Sequence, residues 1–157
     1  MATSKNGYRR GVGVMLLNRD GKVFVGARID NTDEAWQMPQ GGIDQGEKPW
    51  ATALRELEEE TGIPPHLVER ITECPERLKY DLPEDTRHRL WGGKWRGQDQ
   101  DWYLVRFVGD DSDVNIATKH PEFREWKWIE PAELPNLIVP FKRDLYRRLL
   151  REFAAYF

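Results

Sequence analysis

A run of acidic residues constrains this chain more than any other feature, since Glu56, Glu58, Glu59 and Glu60 fall within five consecutive positions. Successive residues of a helix differ by about 100°. In a helix, Glu56, Glu59 and Glu60 would therefore share about 100° of arc, while Glu58 would point elsewhere into solvent. Three carboxylates on one side of a helix either lie in water or need a positive counter-charge.

A helix over residues 49–61 is predicted around these glutamates. Pro49 suits the first helical position because its missing N–H would have no partner there, and Gly62 suits a left-handed helix end. An apolar stripe at helical spacing predicts the buried face, which consists of Trp50, Ala53, Leu54, Leu57 and Thr61.

The acidic face has two interpretations. Like charges three or four positions apart on an exposed helix cost only about 0.2–0.5 kcal/mol per pair, so a solvated acidic face is tolerable. In a half-buried cleft, carboxylates about 5 Å apart repel by about 3 kcal/mol per pair, and they then need cations or protons. Carboxylates with no His or Cys nearby favour magnesium or manganese over zinc. Spacing alone leaves both interpretations open.

The residues around the cluster follow a fixed pattern: Gly41, five residues, Glu47, seven residues, Arg55-Glu56-Leu57, one residue, Glu59-Glu60, one residue, and Gly62-Ile63. This pattern resembles the Nudix box at every defined position. The resemblance implies an α/β fold, an α/β/α sandwich with a mixed central sheet. It also implies a hydrolase that acts on the diphosphate of a nucleoside diphosphate linked to another group.

The resemblance implies metal ligands that hold Mg²⁺, with Mn²⁺ as a second possibility: Glu56, Glu59, Glu60, the carbonyl of Gly41, and Glu122 as a remote ligand. It implies that Arg55 and Glu47 form a salt bridge that fixes the loop before the helix. Glu56 is expected to act as the general base, with Glu60 as the alternative.

Several further segments resemble one Nudix subgroup: Gly7–Arg9, Trp36–Ile43, Gly97–Trp102, Pro121–Phe123 and Val139–Arg143. That subgroup contains bacterial RNA pyrophosphohydrolases and plant and proteobacterial asymmetric diadenosine tetraphosphate hydrolases. By resemblance, the substrate-binding residues are Arg9, Tyr80, Gln98, Val139, Phe141 and Lys142. Without the resemblance, Arg9 would be a solvated charge, and Tyr80 and Phe141 would be ordinary core residues.

Two features bear on the choice of substrate. The segment Ala27–Asp30 contains one arginine, Arg28, where some RNA pyrophosphohydrolases have consecutive arginines, and the stretch Trp91–Gly97 resembles the dinucleotide-cleaving members. These features favour asymmetric cleavage of diadenosine tetraphosphate to ATP and AMP. Removal of pyrophosphate from 5′-triphosphate RNA is the alternative. A non-catalytic nucleotide sensor is disfavoured because the glutamate set is complete.

Composition narrows the remaining classes. The 157 residues predict a single Nudix domain over residues 1–157. A net charge of −3 argues against bulk nucleic-acid binding, so the expected partner is a dinucleoside polyphosphate or an RNA end. The lone Cys74 permits no internal disulfide, and the chain has no apolar run of about 18 residues, so no membrane contact and a cytoplasmic location are expected.

Other elements follow from periodicity and turn residues. Strands are predicted over residues 12–17, 22–27, 36–38, 102–108 and 125–129, with a strand region over 68–80 that breaks near Pro75. Turns are predicted over residues 18–21 and 39–42, a polar loop over 81–100, and a last helix over 141–155.

Overall fold

A computed structural model describes residues 7–30, 35–89 and 91–157, without the side chains of residues 88, 89 and 91. The strands in these residues are β1 (Tyr8–Leu17), β2 (Val23–Arg28), β3 (Trp36–Gln37), β4 (Gln40–Gly42), β5 (Val68–Glu73), β6 (Leu78–Asp81), β7 (Gly97–Phe107) and β8 (Phe123–Ile129). The helices are α1 (Pro49–Thr61), α2 (Glu84–Arg89), α3 (Leu134–Leu137) and α4 (Arg143–Glu152). Within the described residues, none of the helices combines the length and the apolar character needed to cross a bilayer.

The centre of the fold is the parallel pair β1 and β7, which runs from Tyr8 opposite Gly97 to Leu17 opposite Arg106. Antiparallel strands flank this pair: β4 and β2 pair with β1, while β5 and β6 pair with β7. Both β3 and β8 pair with β2. The sheet is therefore mixed, as the sequence predicts.

Apolar side chains cover both faces of the sheet. On one face, Ala53 and Leu57 of α1 pack with residues of β1 and β7 such as Val12 and Tyr103. On the other face, α4 packs against a second group of β1 and β7 residues and places Leu145, Leu149 and Phe153 in the core. This layering is the α/β/α sandwich that the sequence predicts.

The helix α1 has the predicted bounds, but its buried face differs from the predicted stripe. Gly62 ends the helix at φ 75°, in the left-handed region that favours glycine, and its N–H donates to the carbonyl of Glu58. Leu54 is only half buried, whereas Glu60 is 2 % exposed and lies in the buried face. The carboxylate of Glu60 therefore points into the protein and not toward the solvent-exposed face of the helix.

Three sequence predictions of local structure were wrong. Residues 40–42 form β4 and not a turn, because their backbone pairs with Gly11–Gly13 of β1. The predicted loop over 81–100 contains α2 and the first residues of β7, which begins at Gly97 and pairs with Tyr8. The last helix begins at Arg143, after a 3₁₀ turn over Pro140–Lys142.

Candidate active site

The loop before α1 and the helix itself place the Glu56 carboxylate directly against Gly41. A Cβ atom at Gly41 would lie 2.0 Å from Cδ of Glu56 and 2.3 Å from each of its carboxylate oxygens. Only glycine leaves this space. The backbone of β4 and the carboxylate of Glu56 thus come together, which brings two of the predicted metal ligands side by side.

Arg55 binds most of the acidic residues around it. Its Nε and one terminal nitrogen donate to the two carboxylate oxygens of Glu47, at 2.7 and 2.9 Å. The other terminal nitrogen donates to Glu56 at 3.0 Å and to Glu59 at 3.1 Å. The ion pair between Glu47 and Arg55 that the resemblance implies is present, and it ties the loop to the helix.

The hydrogen bond from Arg55 lowers the pKa of Glu47 to about 2. On the other partner, the bond to Glu47 raises the pKa of Arg55. Arg55 is therefore a permanent cation that keeps Glu47 ionised at neutral pH.

Glu60 is the most buried carboxylate of the site. Its Oε2 accepts the backbone N–H of Gln40 at 3.1 Å. Burial raises the pKa of Glu60 well above its ordinary value, and the nearby carboxylates of Glu56 and Glu122 add to this shift. Burial likewise raises the pKa of Glu56 to about 7. Both carboxylates therefore lie where a further positive charge would stabilise their ionised forms.

Glu122 lies immediately before β8, and its negative charge acts on Glu56 and Glu60. One carboxylate oxygen lies 3.4 Å from a terminal nitrogen of Arg28, and the Glu122 carbonyl accepts the N–H of Ile29. The guanidinium of Arg28 also donates to both carboxylate oxygens of Asp30 at 2.8 Å. Arg28 thus joins a predicted remote ligand to the end of β2.

The described carboxylates are not arranged as a coordination shell. Within the described residues, no three Asp, Glu, His or Cys side chains come close enough together to hold a metal ion. Glu59 is half exposed and bound to Arg55, and Glu60 is bound to the backbone of β4. The donor set still fits a hard divalent cation, because Glu56 and Glu60 provide carboxylate oxygens. Burial disfavours the ionised forms of both carboxylates, and a bound cation would stabilise those forms. The assignment of individual ligands stays a prediction.

Arg9 lies beside Gly42, the last residue of β4. A Cβ atom at Gly42 would lie 2.2 Å from a terminal nitrogen of Arg9, so the missing side chain makes room for the guanidinium. Burial lowers the pKa of Arg9, and the negative charge of Glu56 opposes this shift. A partly buried guanidinium therefore lies at the acidic site, where the sequence predicts a phosphate contact.

An aromatic pair with a lysine lies on the other side of the site. The rings of Tyr80 and Phe141 are 6.1 Å apart, and Nζ of Lys142 lies 4.9 Å from the centre of the Tyr80 ring. Tyr80 and Lys142 are buried, whereas Phe141 and Val139 are half buried and pack against the core next to α4. Burial lowers the pKa of Lys142 to about 7. The structure brings together all four residues, and their contacts with substrate stay predictions.

A row of amides, which sequence reasoning missed except for Gln98, connects the two sides; Gln98 and Gln100 are buried and Gln40 is partly buried. The Nε2 of Gln100 donates to Oε1 of Gln98 at 2.8 Å and to Oε1 of Gln40 at 3.0 Å. The indole N–H of Trp102 donates to Oε1 of Gln100 at 2.9 Å. Gln98, Gln100 and Trp102 alternate along β7 and therefore share one face of the strand, and this spacing is visible in the sequence.

Comparison with known proteins places the chain in a family. The NUDIX domain family matches residues 7–149. The chain is 58% identical over 147 residues to a Sphingopyxis alaskensis protein named RNA pyrophosphohydrolase, covering 94% of this chain and 93% of that protein. It is 57% identical over 149 residues to a Roseobacter denitrificans protein of the same name, covering 95% of this chain and 93% of that protein.

Solved structures share the fold at lower sequence identity. A C. elegans Ap4A hydrolase in a binary complex has a TM-score of 0.68 at 22% identity, covering 95% of this chain and 99% of that one. The E. coli dihydroneopterin triphosphate pyrophosphohydrolase has a TM-score of 0.71 at 19% identity, covering 91% and 97%. The chain therefore belongs to the NUDIX family, whose hydrolases generally use divalent metal ions, and it is itself a hydrolase that acts on pyrophosphate bonds.

Proposed function

We propose that this protein is a Mg²⁺-dependent RNA pyrophosphohydrolase that removes pyrophosphate from 5′-triphosphate RNA ends. The observation that carries the proposal is the 58% identity, over nearly full length, to a protein with that name. The sequence features alone favoured diadenosine tetraphosphate. The near-full-length relatives favour the alternative, and the substrate proposed here follows them.

The position of Arg28 supports this choice. Its positive charge affects the pKa of Glu60, Tyr80 and Lys142, so it acts on both the acidic and the aromatic side of the site. The site therefore has an arginine whose charge reaches the aromatic side even though the segment contains only one arginine. A guanidinium beside a nucleobase adds about 0.5–2 kcal/mol of cation–π attraction, which serves the first base of an RNA end.

The carboxylates fit a divalent cation, and we assign Glu56, Glu59, Glu60, the Gly41 carbonyl and, with substrate bound, Glu122 as its ligands. When bound there, Mg²⁺ would neutralise phosphate charge and would lower the pKa of water at neutral pH. Mn²⁺ has similar ligand preferences and is expected to substitute.

The protein's own groups divide the remaining work. Glu56, against the backbone of Gly41, takes the proton from the water that attacks phosphorus as the phosphoanhydride bond breaks, with Glu60 as the alternative base. Arg55, fixed by Glu47, holds Glu56 and Glu59 in place. Arg9 presents a guanidinium fork to phosphate oxygens.

On the other side of the site, the base is held without sequence readout. Phe141, with Tyr80 behind it, offers a stacking surface that tolerates any base. Lys142 and Gln98 donate to the phosphates or the ribose, and Val139 packs against the base.

A second candidate, asymmetric cleavage of diadenosine tetraphosphate to ATP and AMP, is favoured by the likeness of the Trp91–Gly97 stretch to dinucleotide-cleaving members. The purified protein should be assayed with Mg²⁺ on both substrates in parallel. We expect kcat/KM at least about tenfold higher on triphosphate-ended RNA, with 5′-monophosphate RNA as product. The reverse preference would replace our proposal with the second candidate, and binding without cleavage of either substrate would make the protein a sensor.

The metal assignment has a test that does not depend on turnover. Mg²⁺ that binds the folded state raises the melting temperature as its concentration rises, and a chelator reverses the effect. We expect Glu60→Gln to reduce this Mg²⁺-dependent rise. A melting temperature that Mg²⁺ leaves unchanged would contradict a metal site built from these carboxylates.

A further inference from the structure

Four side chains form a continuous hydrogen-bonded chain from the core to the candidate active site, and we name it the glutamine relay: Gln40, Gln98, Gln100 and Trp102. Gln100 and Trp102 are fully buried. Trp102 donates to Gln100, and Gln100 donates to both Gln98 and Gln40. Each hydrogen bond is between 2.8 and 3.0 Å long.

The indole sets the direction of every amide in the relay. A tryptophan side chain can only donate, so the atom of Gln100 that faces Trp102 has to be its carbonyl oxygen. The amide nitrogen of Gln100 then faces Gln98 and Gln40, and each of its two N–H groups needs an acceptor. Gln98 and Gln40 therefore both turn their carbonyl oxygens inward and their amide nitrogens away from Gln100.

Glycines of β1 provide the space for this arrangement. A Cβ atom at Gly13 would lie 2.3 Å from ring atoms of Trp102, so the indole lies directly over the strand. A Cβ atom at Gly11 would lie 2.4 Å from Oε1 of Gln98 and 2.8 Å from the carbonyl oxygen of Gly41. Gln98 thus lies beside β4, which carries the predicted metal ligand Gly41.

The inner end of the relay is enclosed in the core. The Trp102 ring meets Tyr146 edge to face, with ring centres 6.2 Å apart. The Tyr146 hydroxyl accepts the backbone N–H of Met38 at 2.8 Å. Since both rings are buried, the indole N–H has a fixed position, and the carbonyl of Gln100 is fixed with it.

The outer end touches both sides of the site through Gln40. Its backbone N–H donates to Glu60, and its amide nitrogen lies 3.5 Å from the Tyr80 hydroxyl. Gln40 therefore contacts both an acidic residue, Glu60, and a member of the aromatic pair, Tyr80.

We propose that Gln100 is a positioning residue that makes Gln98 present its N–H donors to the phosphate chain of the substrate, while the Gln40 amide nitrogen is directed toward the Tyr80 hydroxyl. Phosphate oxygens accept hydrogen bonds and do not donate them when ionised, so an amide that turned its oxygen outward would repel them. Gln100 removes that alternative without touching substrate. The proposal rests on the proposed polyphosphate substrate, but not on whether that substrate is RNA or a dinucleotide.

A double-mutant cycle on Gln98 and Gln100 tests the proposal. Gln98→Met removes one donor, and Gln100→Met removes the group that orients it, with little change in side-chain length. We expect each single variant to raise KM by about tenfold, since hydrogen bonds to charged groups are strong, while kcat stays within about twofold of wild type. Because both variants disable the same donor, we expect the double variant to raise KM little beyond either single variant.

Asp101→Asn provides the matched control, because Asp101 lies on the opposite face of the same strand and binds Arg10 there. It is expected to leave KM unchanged even if it lowers the melting temperature. If Gln100→Met fails to fold, Gln100→Glu replaces it, since a carboxylate still accepts from Trp102 but cannot donate to Gln98. Its KM should rise, again with no additional effect from Gln98→Met.

Two outcomes would overturn the proposal. One is a wild-type KM for a folded Gln100 variant, which would leave Gln100 a core residue only. The other is a double variant whose KM is the product of the two single effects, which would mean that Gln98 acts without Gln100. The cycle uses whichever substrate wild-type protein cleaves faster, so failure of the RNA assignment does not affect it.

Discussion

The two sides of the candidate active site are built in opposite ways. We name them the acidic wall, which consists of β4, the following loop and α1, and the amide wall, which consists of the glutamine relay with Tyr80, Phe141 and Lys142. On the acidic wall, the Arg55 guanidinium binds the carboxylates of Glu47, Glu56 and Glu59. On the amide wall, neutral donors and rings orient one another, and the one lysine is buried.

This difference suggests a division of labour. Carboxylates that bind metal ions and accept protons stabilise the transition state, so changes on the acidic wall should lower kcat. Neutral donors and stacked rings hold the ground state and the transition state about equally, so changes on the amide wall should raise KM. Gln40 belongs to both walls, because its backbone binds Glu60 and its side chain binds Gln100.

The largest effect is expected from two neighbouring glutamates of α1 that differ only in their partners. Glu59 and Glu58 are both exposed, but Glu59 binds Arg55 and is a predicted metal ligand. Glu59→Gln should lower kcat by about 10²- to 10⁴-fold and leave the melting temperature nearly unchanged. Glu58→Gln should match wild type in the same assay. Equal activity of the two variants would remove Glu59 from the catalytic group.

The acidic wall is also the part of the site that the sequence reveals. Its members lie within residues 40–61, so loop and helix geometry relates them directly, and the bounds of α1 are correct. Solvent exposure was harder to predict. Glu60 belongs to the buried face, because its carboxylate accepts a hydrogen bond from the backbone N–H of Gln40 in β4. That contact depends on where β4 pairs with β1, and the sequence predicted a turn there.

The amide wall draws on residues far apart in the chain, and its internal contacts could not be predicted. Gln40 meets Gln100 across 60 positions, and Tyr80 meets Phe141 in the 3₁₀ turn before α4. Local patterns give no information on such pairs, because tertiary packing decides them. The alternation of Gln98, Gln100 and Trp102 does indicate a shared strand face, but β7 was predicted to begin only at Trp102.

The second largest effect is expected at Arg55. Lysine keeps the charge but loses the planar fork, so it cannot bind both oxygens of Glu47 and still reach Glu56 and Glu59. Arg55→Lys should lower kcat by about 10- to 100-fold, as is typical when a group that orients metal ligands is lost. The KM should change much less. A variant with normal kcat and a raised KM would contradict the assignment of Arg55 to the acidic wall.

A smaller effect, on KM and not on kcat, is expected at Phe141. Base stacking contributes about 1–3 kcal/mol, so Phe141→Ala should raise KM by about 5- to 100-fold with kcat nearly retained. Phe153, buried at the end of α4, serves as the control. Phe153→Ala should lower the free energy of unfolding by about 3–5 kcal/mol without a specific change in KM. If Phe141→Ala instead loses stability at normal KM, Phe141 is a core residue.

The smallest effect is expected on the free energy of unfolding, and it measures the structural role of Glu47 in the acidic wall. The pKa of Glu47 is lowered from 4.5 to about 2, chiefly by its hydrogen bond from Arg55. A carboxylate with a lowered pKa stabilises the fold fully above its unfolded pKa, and this contribution is lost as the pH falls toward the folded pKa. The free energy of unfolding of wild type should therefore exceed that of Glu47→Gln by about 1 kcal/mol near pH 6, and most of the difference should be lost by about pH 2.

Urea denaturation of both proteins at several pH values measures this difference, and the subtraction removes the titration of the carboxylates that the two proteins share. Wild type and Glu47→Gln differ in one titratable group, so the window between about pH 4.5 and pH 2 reports on that ion pair. A difference that stayed constant across the window would mean that Glu47 acts through its packing or its bond from the N–H of Asp44. The loop would then be held by its own backbone, and Arg55 would serve only the carboxylates of α1.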